Sequence, residues 1–416
     1  MNILVIGSGG REHAIIDAIS RSPKNAKIYA APGNAGISQI AECINIKDTD
    51  VDAVVKFAKD NKIDLVVVGP EAGLAVGMVD ALTKEGIKAF GPTKAAAQIE
   101  ASKEFAKDLM KKYNIPTAAY DVFDNFDNAL AYVKEKGLPI VIKYDGLAAG
   151  KGVVIPETME EAEETLRDML VNDKFGDASV VIEEFLEGPE FSFMCFCDRE
   201  NVYPMEISQD HKRAYEGDKG PNTGGMGAYS PVPIISKEDL EYAYNNIMVP
   251  TAKAMVLEGV PFKGVLYGGL MKTKNGIKVI EFNSRFGDPE TEVVLPRLES
   301  DIIDIFLNIV DGKKIDEIKW SKDVTLGIVL ASKGYPLDYK KGFKIEGLDG
   351  LESKVFHMGT KLENGAYYTN GGRVLFVVAK GKTLKEAKEK ALADTQKIKC
   401  DNLFYRRDIG HRALDK

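Results

Sequence analysis

Residues 2 to 90 alternate short apolar runs with helical patterns, and no other feature of this 416-residue chain limits its fold as much. The apolar runs are Ile3–Ile6, Lys27–Ala30, Leu65–Val68 and Ile87–Phe90. Between them lie helical stretches such as Glu12–Ser20 and Val51–Asp60, the second with a capping signal at Thr49-x-x-Asp52. Such alternation predicts a parallel sheet with helices on both faces and ligands at the carboxyl ends of the strands. Three glycine turns fall at those ends: Gly7-Ser-Gly-Gly10, Pro32-Gly-Asn-Ala-Gly36 and Gly69-Pro-Glu71. The spacing Gly7-x-Gly9-x-x-Glu12 puts a glutamate where a dinucleotide fingerprint needs its third glycine, which weakens an NAD or FAD reading. Gly9, Gly10 and Arg11 opening a helix suit a phosphate monoester, with a plain tight turn as the alternative.

A long helix is predicted over 93–112, with Lys103 inside it, ended by Tyr113-Asn-Ile-Pro116. A compact α+β lid follows over about 117–186: a strand near Ala118–Phe123, a helix near Phe126–Lys136, a helix capped by Thr158 and a strand at Val180–Leu186. Inside it, the apolar run from Ile140 to Lys143 enters a glycine loop, Asp145 to Gly152, and a second apolar run leaves it. Glycine backbone can cradle an anion, and Lys143 and Lys151 would neutralise it. The loop is no Walker A motif, since Gly152 replaces the Ser or Thr and a strand follows instead of a helix. Strands are expected over 190–208, then a long loop from His211 to Tyr229, whose mixed charges and glycines favour a substrate loop over disorder. A helix near Ser236–Glu258, strands at Val265–Met271 and Lys278–Asn283, and a helix from the 285–290 turn to about Ile309 come next. Residues 323–416 read as a separate small α+β domain with a helix capped at Thr383.

On the Lys278–Asn283 strand, Glu281 and Asn283 share one face, two oxygen donors of the kind Mg²⁺ accepts; a wet strand face is the alternative. Glu183-Glu-Phe-Leu-Glu-Gly-Pro-Glu190 sets acids around an apolar pair at a chain reversal, suited to adenine and ribose or simply a charged hinge. The four histidines have no zinc spacing, and no serine or cysteine presents itself as a nucleophile. A site built of Lys, Arg, Glu, Asn and glycine backbone binds phosphates and neutralises developing charge. A net charge of −8 argues against a broad nucleic-acid surface, and no apolar run reaches membrane-spanning length. Four cysteines make no disulfide framework, and the N-terminus lacks signal-peptide features, so a cytoplasmic location is expected.

Taken together, the motifs resemble the ATP-grasp superfamily and, within it, the phosphoribosylamine–glycine ligase family. They run Gly7-Ser-Gly-Gly-Arg-Glu-His-Ala14, Gly69-Pro-Glu71, Lys143-Tyr-Asp-Gly-Leu-Ala-Ala-Gly-Lys-Gly152, Asp210-His-Lys-Arg213, Asn222-Thr-Gly-Gly-Met-Gly227, Glu281-Phe-Asn-Ser-Arg-Phe-Gly-Asp-Pro-Glu-Thr291 and Gly371-Gly-Arg373. The small departures, Gly73 and Gly268, remove no expected ligand. The resemblance implies an α/β and α+β multidomain chain: an N-terminal parallel-sheet domain (1–100), an ATP-grasp domain (101–320, lid about 117–186) and a C-terminal α+β domain (321–416). It implies that ATP, glycine and 5-phosphoribosylamine give glycinamide ribonucleotide, ADP and phosphate, through a glycyl phosphate, in purine biosynthesis. It places Lys103, Lys143, Gly150, Lys151 and Gly152 on ATP phosphates, Glu183, Glu184, Phe185 and Leu186 at adenine, and Glu190 at the ribose. Glu281 and Asn283 would hold Mg²⁺, with Mn²⁺ able to substitute. Gly9, Gly10, Arg11, Glu12 and Glu71 would take the ribosylamine and its phosphate. Asp210, Asn222, Thr223, Gly224, Gly225, Met226 and Arg285 would line the junction with glycine, with Arg285, Asp210 and Lys143 as the catalytic groups. Its partners would be these small molecules, without nucleic acid or membrane, and a monomer is favoured over an obligate oligomer. Two other readings stay open: another ATP-grasp carboxylate–amine ligase or carboxylase of purine metabolism, and a dinucleotide-dependent oxidoreductase.

Overall fold

The computed structural model describes residues 1–146, 152–172 and 179–414. The N-terminal alternation produces a five-stranded parallel sheet ordered Glu42–Cys43, Lys27–Pro32, Asn2–Gly7, Leu65–Val68, Ala89–Phe90. Its central strands bury both faces. Ile3 and Val5 join the main core of the molecule, while Leu4 and Ile6 pack under the helices Val51–Asp60 and Met78–Lys84. Continuous Val/Ile/Leu runs are what a doubly covered parallel sheet requires. The strand order reverses around Asn2–Gly7, so all three glycine turns gather at that switch point. The Val51–Asp60 helix is capped by Asp50, whose side chain accepts from Ala53 N, and not by Thr49.

The predicted helix over 93–112 is broken. Gln98–Ala101 is one short helix, Ser102 is extended, and Lys103–Lys112 is the next, capped by the Ser102 hydroxyl. Lys103 therefore sits in a first turn and not mid-helix. Beyond it, the strands Tyr120–Phe123, Val180–Glu184, Ile140–Tyr144 and Val153–Val154 form an antiparallel sheet. The helices Phe126–Lys136 and Met159–Leu170 cover it and close its own core around Ala129, Ile142, Leu166 and Ile182. These elements form a small α+β unit with its own core within residues 117–186.

The body beneath is a four-stranded antiparallel sheet ordered Asn201–Pro204, Glu190–Asp198, Lys263–Thr273, Gly276–Asn283. The expected long loop 211–229 is structured: it contains a hairpin, Arg213–Tyr215 against Lys219–Asn222, and ends in the strand Gly227–Ser230. The helix expected to run on to Ile309 is interrupted, with Glu290–Val294 and a 3₁₀ turn preceding Ile302–Asp311. The C-terminal α+β part is present, with the helix Leu384–Thr395 capped by Thr383 as expected. Its sheet is not separate. Gln209–Asp210 and Gly227–Ser230 add to Val324–Ser332, Arg373–Gly381 and Lys354–His357, so the substrate-loop residues are strands of the C-terminal sheet. Among the described residues no helix is long and apolar enough to cross a membrane, and all four cysteines are free.

Candidate active site

Lys143 lies next to the end of the strand Ile140–Tyr144 and is buried, with 4% exposure. Its Nζ lies 2.9 Å from Glu183 Oε1 and donates to the Ile280 carbonyl at 3.0 Å. The other Glu183 oxygen holds Lys107 Nζ at 3.0 Å, and Lys107 also donates to Thr117 Oγ1 at 2.8 Å. Glu183 is thus clamped between two lysines. Two lysines against one glutamate leave a net positive charge for phosphates. Burial pushes Lys107 down to about 8, against the pull of Glu183. The sequence reading missed Lys107, because a lysine on a lysine-rich helix looks like part of a solvated face.

Asp145, the first residue of the glycine loop, accepts from the backbone N–H groups of Lys103 and Glu104 at the start of their helix. Lys103 Nζ donates to the Gly146 carbonyl at 2.9 Å. Burial lowers the Lys103 pKa, partly offset by Glu281, while Lys143 lowers it further. Lys103, Lys143 and Glu281 therefore share one charged neighbourhood. Gly150 and Lys151 lie outside the described residues. Gly152 is described, and its carbonyl accepts from Tyr144 N at 2.8 Å. Glu184 is exposed and accepts from Ala119 N and Lys278 Nζ, each at 3.3 Å. Phe185 and Leu186 are half-buried just beyond the strand, and Glu190 lies 4.0 Å from Lys212 Nζ.

Glu281 and Asn283 stand two apart on the strand Gly276–Asn283, opposite Gly269 and Tyr267. Among the described residues no hydrogen bond or ion pair engages the Glu281 carboxylate. Among the described residues Asn283 Oδ1 has only a long 3.4 Å contact with Arg285 Nη2. Two underused oxygen donors side by side fit a hard divalent cation.

At the N-terminal end, Glu12 decides the geometry. Its Oε2 accepts from Gly9 N at 2.7 Å and its Oε1 pairs with Arg11 Nε at 2.6 Å. A Cβ on Gly7 or Gly69 would lie 2.5 or 2.2 Å from the Glu12 side chain. Glu12 thus fills the space between the ends of two central strands, where a dinucleotide fold seats pyrophosphate. Arg11 is turned inward. Besides Glu12 it donates to the Phe286 carbonyl at 3.2 Å and lies 3.7 Å from Glu71. The Asp288 carboxylate takes Arg11 N at 3.4 Å. The expected phosphate grip by Gly9 and the Arg11 side chain is therefore not formed in this conformation, because carboxylates already occupy those donors.

Arg285 Nη2 pairs with Glu100 at 2.9 Å, and its Nε lies 3.4 Å from Glu71. Glu100 also accepts from Ser284 N and Oγ, both at 2.8 Å, and so fixes this turn. Burial raises the Glu71 pKa, but Arg285 and Arg11 prevail and hold it down to about 2. Asp210 is buried beside Lys212 at 2.8 Å. Glu290, which the sequence reading gave no role, accepts from Tyr267 Oη at 3.0 Å and Ser192 Oγ at 3.2 Å; burial and then Asp210 raise its pKa.

In the 222–226 turn, Thr223 Oγ1 donates to the Lys212 carbonyl at 2.8 Å, and Gly225 N donates to Thr223 Oγ1 at 2.9 Å. Gly224 N donates to Tyr335 Oη at 3.0 Å. Asn222 is exposed. The Met226 side chain is fully buried in the core, its N–H goes to the His211 carbonyl and its carbonyl takes Val329 N. Arg373, quoted in a motif without a role, donates to the Gly224 carbonyl at 2.8 Å and lies 2.9 Å from Asp288 Oδ1. It ties the 222–226 turn to the 285–290 turn.

The chain matches three family profiles in sequence: phosphoribosylglycinamide synthetase N domain over residues 1–100, ATP-grasp (A) domain over 101–291 and C domain over 325–412. A phosphoribosylamine–glycine ligase of Halalkalibacterium halodurans is 55% identical over 418 residues, covering 100% of this chain and 97% of that relative. One from Listeria monocytogenes is 54% identical over 419 residues, covering 99% and 100%. The crystal structure of the phosphoribosylamine–glycine ligase of Thermotoga maritima superposes with a TM-score of 0.87 at 32% identity, covering 99% of this chain and 100% of that one.

Proposed function

The chain belongs to the phosphoribosylglycinamide synthetase family of ATP-grasp ligases, which join glycine to 5-phosphoribosylamine in purine biosynthesis, and from that premise we propose how its residues divide the work. One observation carries the reading. Lys143 donates to Ile280 O, Glu281 and Asn283 follow on the same strand, and Arg285 contacts Asn283 and begins the next turn. A phosphate-binding lysine and a carboxylate-binding arginine thus flank the metal pair along one short run.

A carboxylate is a poor electrophile, and transfer of the ATP γ-phosphoryl to glycine gives a glycyl phosphate with a good leaving group. Lys103 and Lys143, with the loop that includes Gly150, Lys151 and Gly152, hold the ATP phosphates. Phe185 and Leu186 offer the apolar surface for adenine beside Glu184, and Glu190 takes the ribose. Glu281 and Asn283 would hold Mg²⁺ or Mn²⁺, which would neutralise charge on the transferring phosphoryl group. Arg285 takes the glycine carboxylate through a charge-assisted pair. The buried acids Asp210 and Glu290 suit its ammonium. The ribosylamine enters between the Gly9–Gly10 turn, Glu71 and the 222–225 turn, and its nitrogen attacks the activated carbonyl. Phosphate capture at Gly9–Gly10 then requires Glu12 to release Gly9 N. We assign residues 1–100, 101–320 (lid 117–186) and 321–416 as the units, in a cytoplasmic monomer.

The test is ADP release with each substrate omitted in turn. Turnover needs glycine, the ribosylamine and ATP together; turnover with bicarbonate in place of glycine overturns the reading in favour of a carboxylase. In the same assay, Glu281→Ala should lower kcat by at least about a hundredfold, the scale of a lost transition-state charge partner, with Tm nearly unchanged. Full turnover of that variant in limiting Mg²⁺ would remove the metal assignment.

A further inference from the structure

The 222–225 turn hangs from the hairpin Arg213–Tyr215/Lys219–Asn222, most of whose residues are exposed. Two strands alone are marginal in water, so something must hold this pair. The end of the described chain does so. Arg406, whose side chain is 1% exposed, donates from Nη1 to the Arg213 carbonyl at 2.9 Å and from Nη2 to Asp218 Oδ1 at 3.0 Å. Arg412 donates to Asp218 Oδ2 at 2.9 Å and to the Asp210 carbonyl at 3.3 Å. Gly217 N donates to Asp408 Oδ2 at 2.9 Å, and Gly410 N to His211 Nε2 at 3.1 Å.

Asp218 sits at the hairpin apex with φ 54, a conformation uncommon for residues other than glycine. The two arginines meet its carboxylate there. Burial raises the pKa of Asp218, but Arg412 and Arg406 outweigh it and hold the group ionised. Apolar contact with the hairpin is small among the described residues: Tyr215 is 51% exposed and meets the Phe404 ring at 5.9 Å between centroids, and Ala214 is buried. The position of the hairpin is therefore set by charge and hydrogen bonding from residues 406–412, on a segment nearly two hundred positions away in sequence.

We propose that Arg406, Asp408 and Arg412 are positioning residues for the substrate turn. They fix the hairpin, and through it Asp210 and Gly224, against the glycine and ribosylamine end of the site. This rests on the assignment of 210–225 to that end. Among the described residues Arg406, Asp408 and Arg412 touch none of the groups assigned to ATP directly; the nearest link runs through Asp210 and Lys212 to Glu190, 4.0 Å from Lys212 Nζ, so KM for glycine should respond more than KM for ATP.

The test uses the full chain and the variants Asp218→Asn, Arg412→Ala and Arg412→Lys. Asparagine tolerates the same backbone conformation, and Asp218 and Arg412 are each about 30% exposed, which makes folding failure avoidable. KM for glycine should rise about five- to tenfold in Asp218→Asn and Arg412→Ala, the effect of a lost charge-assisted bond. KM for ATP should stay within about twofold, trypsin should cut faster within 213–222, and Arg412→Lys should recover part of the loss. Equal changes in both KM values, or a lower active fraction with both KM values intact, would overturn the proposal. Asp210→Asn separates the two levels. If it leaves KM for glycine unchanged, the substrate assignment itself fails. If it raises that KM while Asp218→Asn does not, only the role of the tail fails.

Discussion

At the scale of single residues, the site is a balance of buried charges. Arg11 neutralises Glu12 and approaches Glu71 while bonding the Phe286 carbonyl. Removing one member of a buried pair leaves the other uncompensated, so Arg11→Ala should cost roughly 3–5 kcal/mol, read as a loss in a denaturant midpoint. A variant that kept full stability and lost only ribosylamine affinity would return Arg11 to the role of a phosphate ligand. Glu292 is the opposite case. It is fully buried, neither oxygen has a hydrogen-bond partner among the described residues, and burial followed by Asp288 raises its pKa well above the usual value. The folded protein therefore keeps a proton that the unfolded chain releases near 4.5, and stability is lost as pH rises from there towards the folded pKa. Glu292→Gln removes that loss. Its stability advantage over the parent, read from Tm or a denaturant midpoint, should be small at pH 5 and grow by pH 7, by up to about 1.4 kcal/mol per pH unit. A constant difference across that range would mean Glu292 is ionised in the fold.

At the scale of elements, the reversal at Glu187-Gly-Pro189 joins the lid to the body. Gly188 has φ 150, and a Cβ there would lie 2.0 Å from the Lys272 carbonyl oxygen on the strand Lys263–Thr273. Gly188→Ala must push the reversal off that strand at a cost of about 1–3 kcal/mol. Leu186 and Glu190 flank it, so KM for ATP should rise together with the fall in Tm; a fall in Tm alone would detach this turn from nucleotide binding. The elements that the sequence showed well were those with a clean period. The parallel strands were legible as unbroken Val/Ile/Leu runs, and the lid helices as capped amphipathic segments. Ser102 was not legible as a break, because the helical pattern of 93–112 continues across it and only the Ser102–Phe105 cap, a local side-chain bond, ends one helix and starts the next. In sequence the 213–222 hairpin reads as loop, because Lys219-Gly-Pro-Asn222 has neither alternation nor a run of apolar residues. Of the site, Lys143, Glu281 and Arg285 are marked in sequence by motifs, and the structure brings Lys143 and Arg285 to the strand that carries Glu281 and Asn283. Lys107 and Glu100 carry no local pattern, and Arg373 stands in the Gly371-Gly-Arg373 motif with nothing nearby to show its partners; the contacts that give them places in the site reach Glu183, Ser284 and Gly224, 76, 184 and 149 positions away.

At the scale of the whole molecule, three histidines sit where distant segments meet, and each is buried neutral. His13, on the first helix, accepts at Nδ1 from His357 N on a C-terminal strand, at 2.9 Å. His211, before the substrate hairpin, accepts from Gly410 N. Burial pushes His13 and His211 down to about 3 and His357 to about 4; neighbouring cations such as Lys354 and Arg412 add to the effect for the first two. Between these values and the ordinary 6.5, the unfolded chain binds more protons than the folded one, so stability falls as pH drops through that window. Each histidine contributes at most about 1.4 kcal/mol per pH unit. Glu290 and Glu292 act in the other direction above 4.5, which leaves three against two and a net loss on acidification from 6.5 to 4.5. Glu71 and Asp408, each held near 2 despite burial, lose their stabilising charge only below 4.5 and 3.8, so they do not confuse that window. Tm should therefore fall between pH 6.5 and 4.5, more steeply in Glu292→Gln, which lacks one opposing proton, and less steeply in His13→Gln. If Tm stays level over that range in both the parent and Glu292→Gln, the histidines take up no protons on unfolding, and the neutral seams between the N-terminal, substrate-loop and C-terminal segments are wrongly assigned.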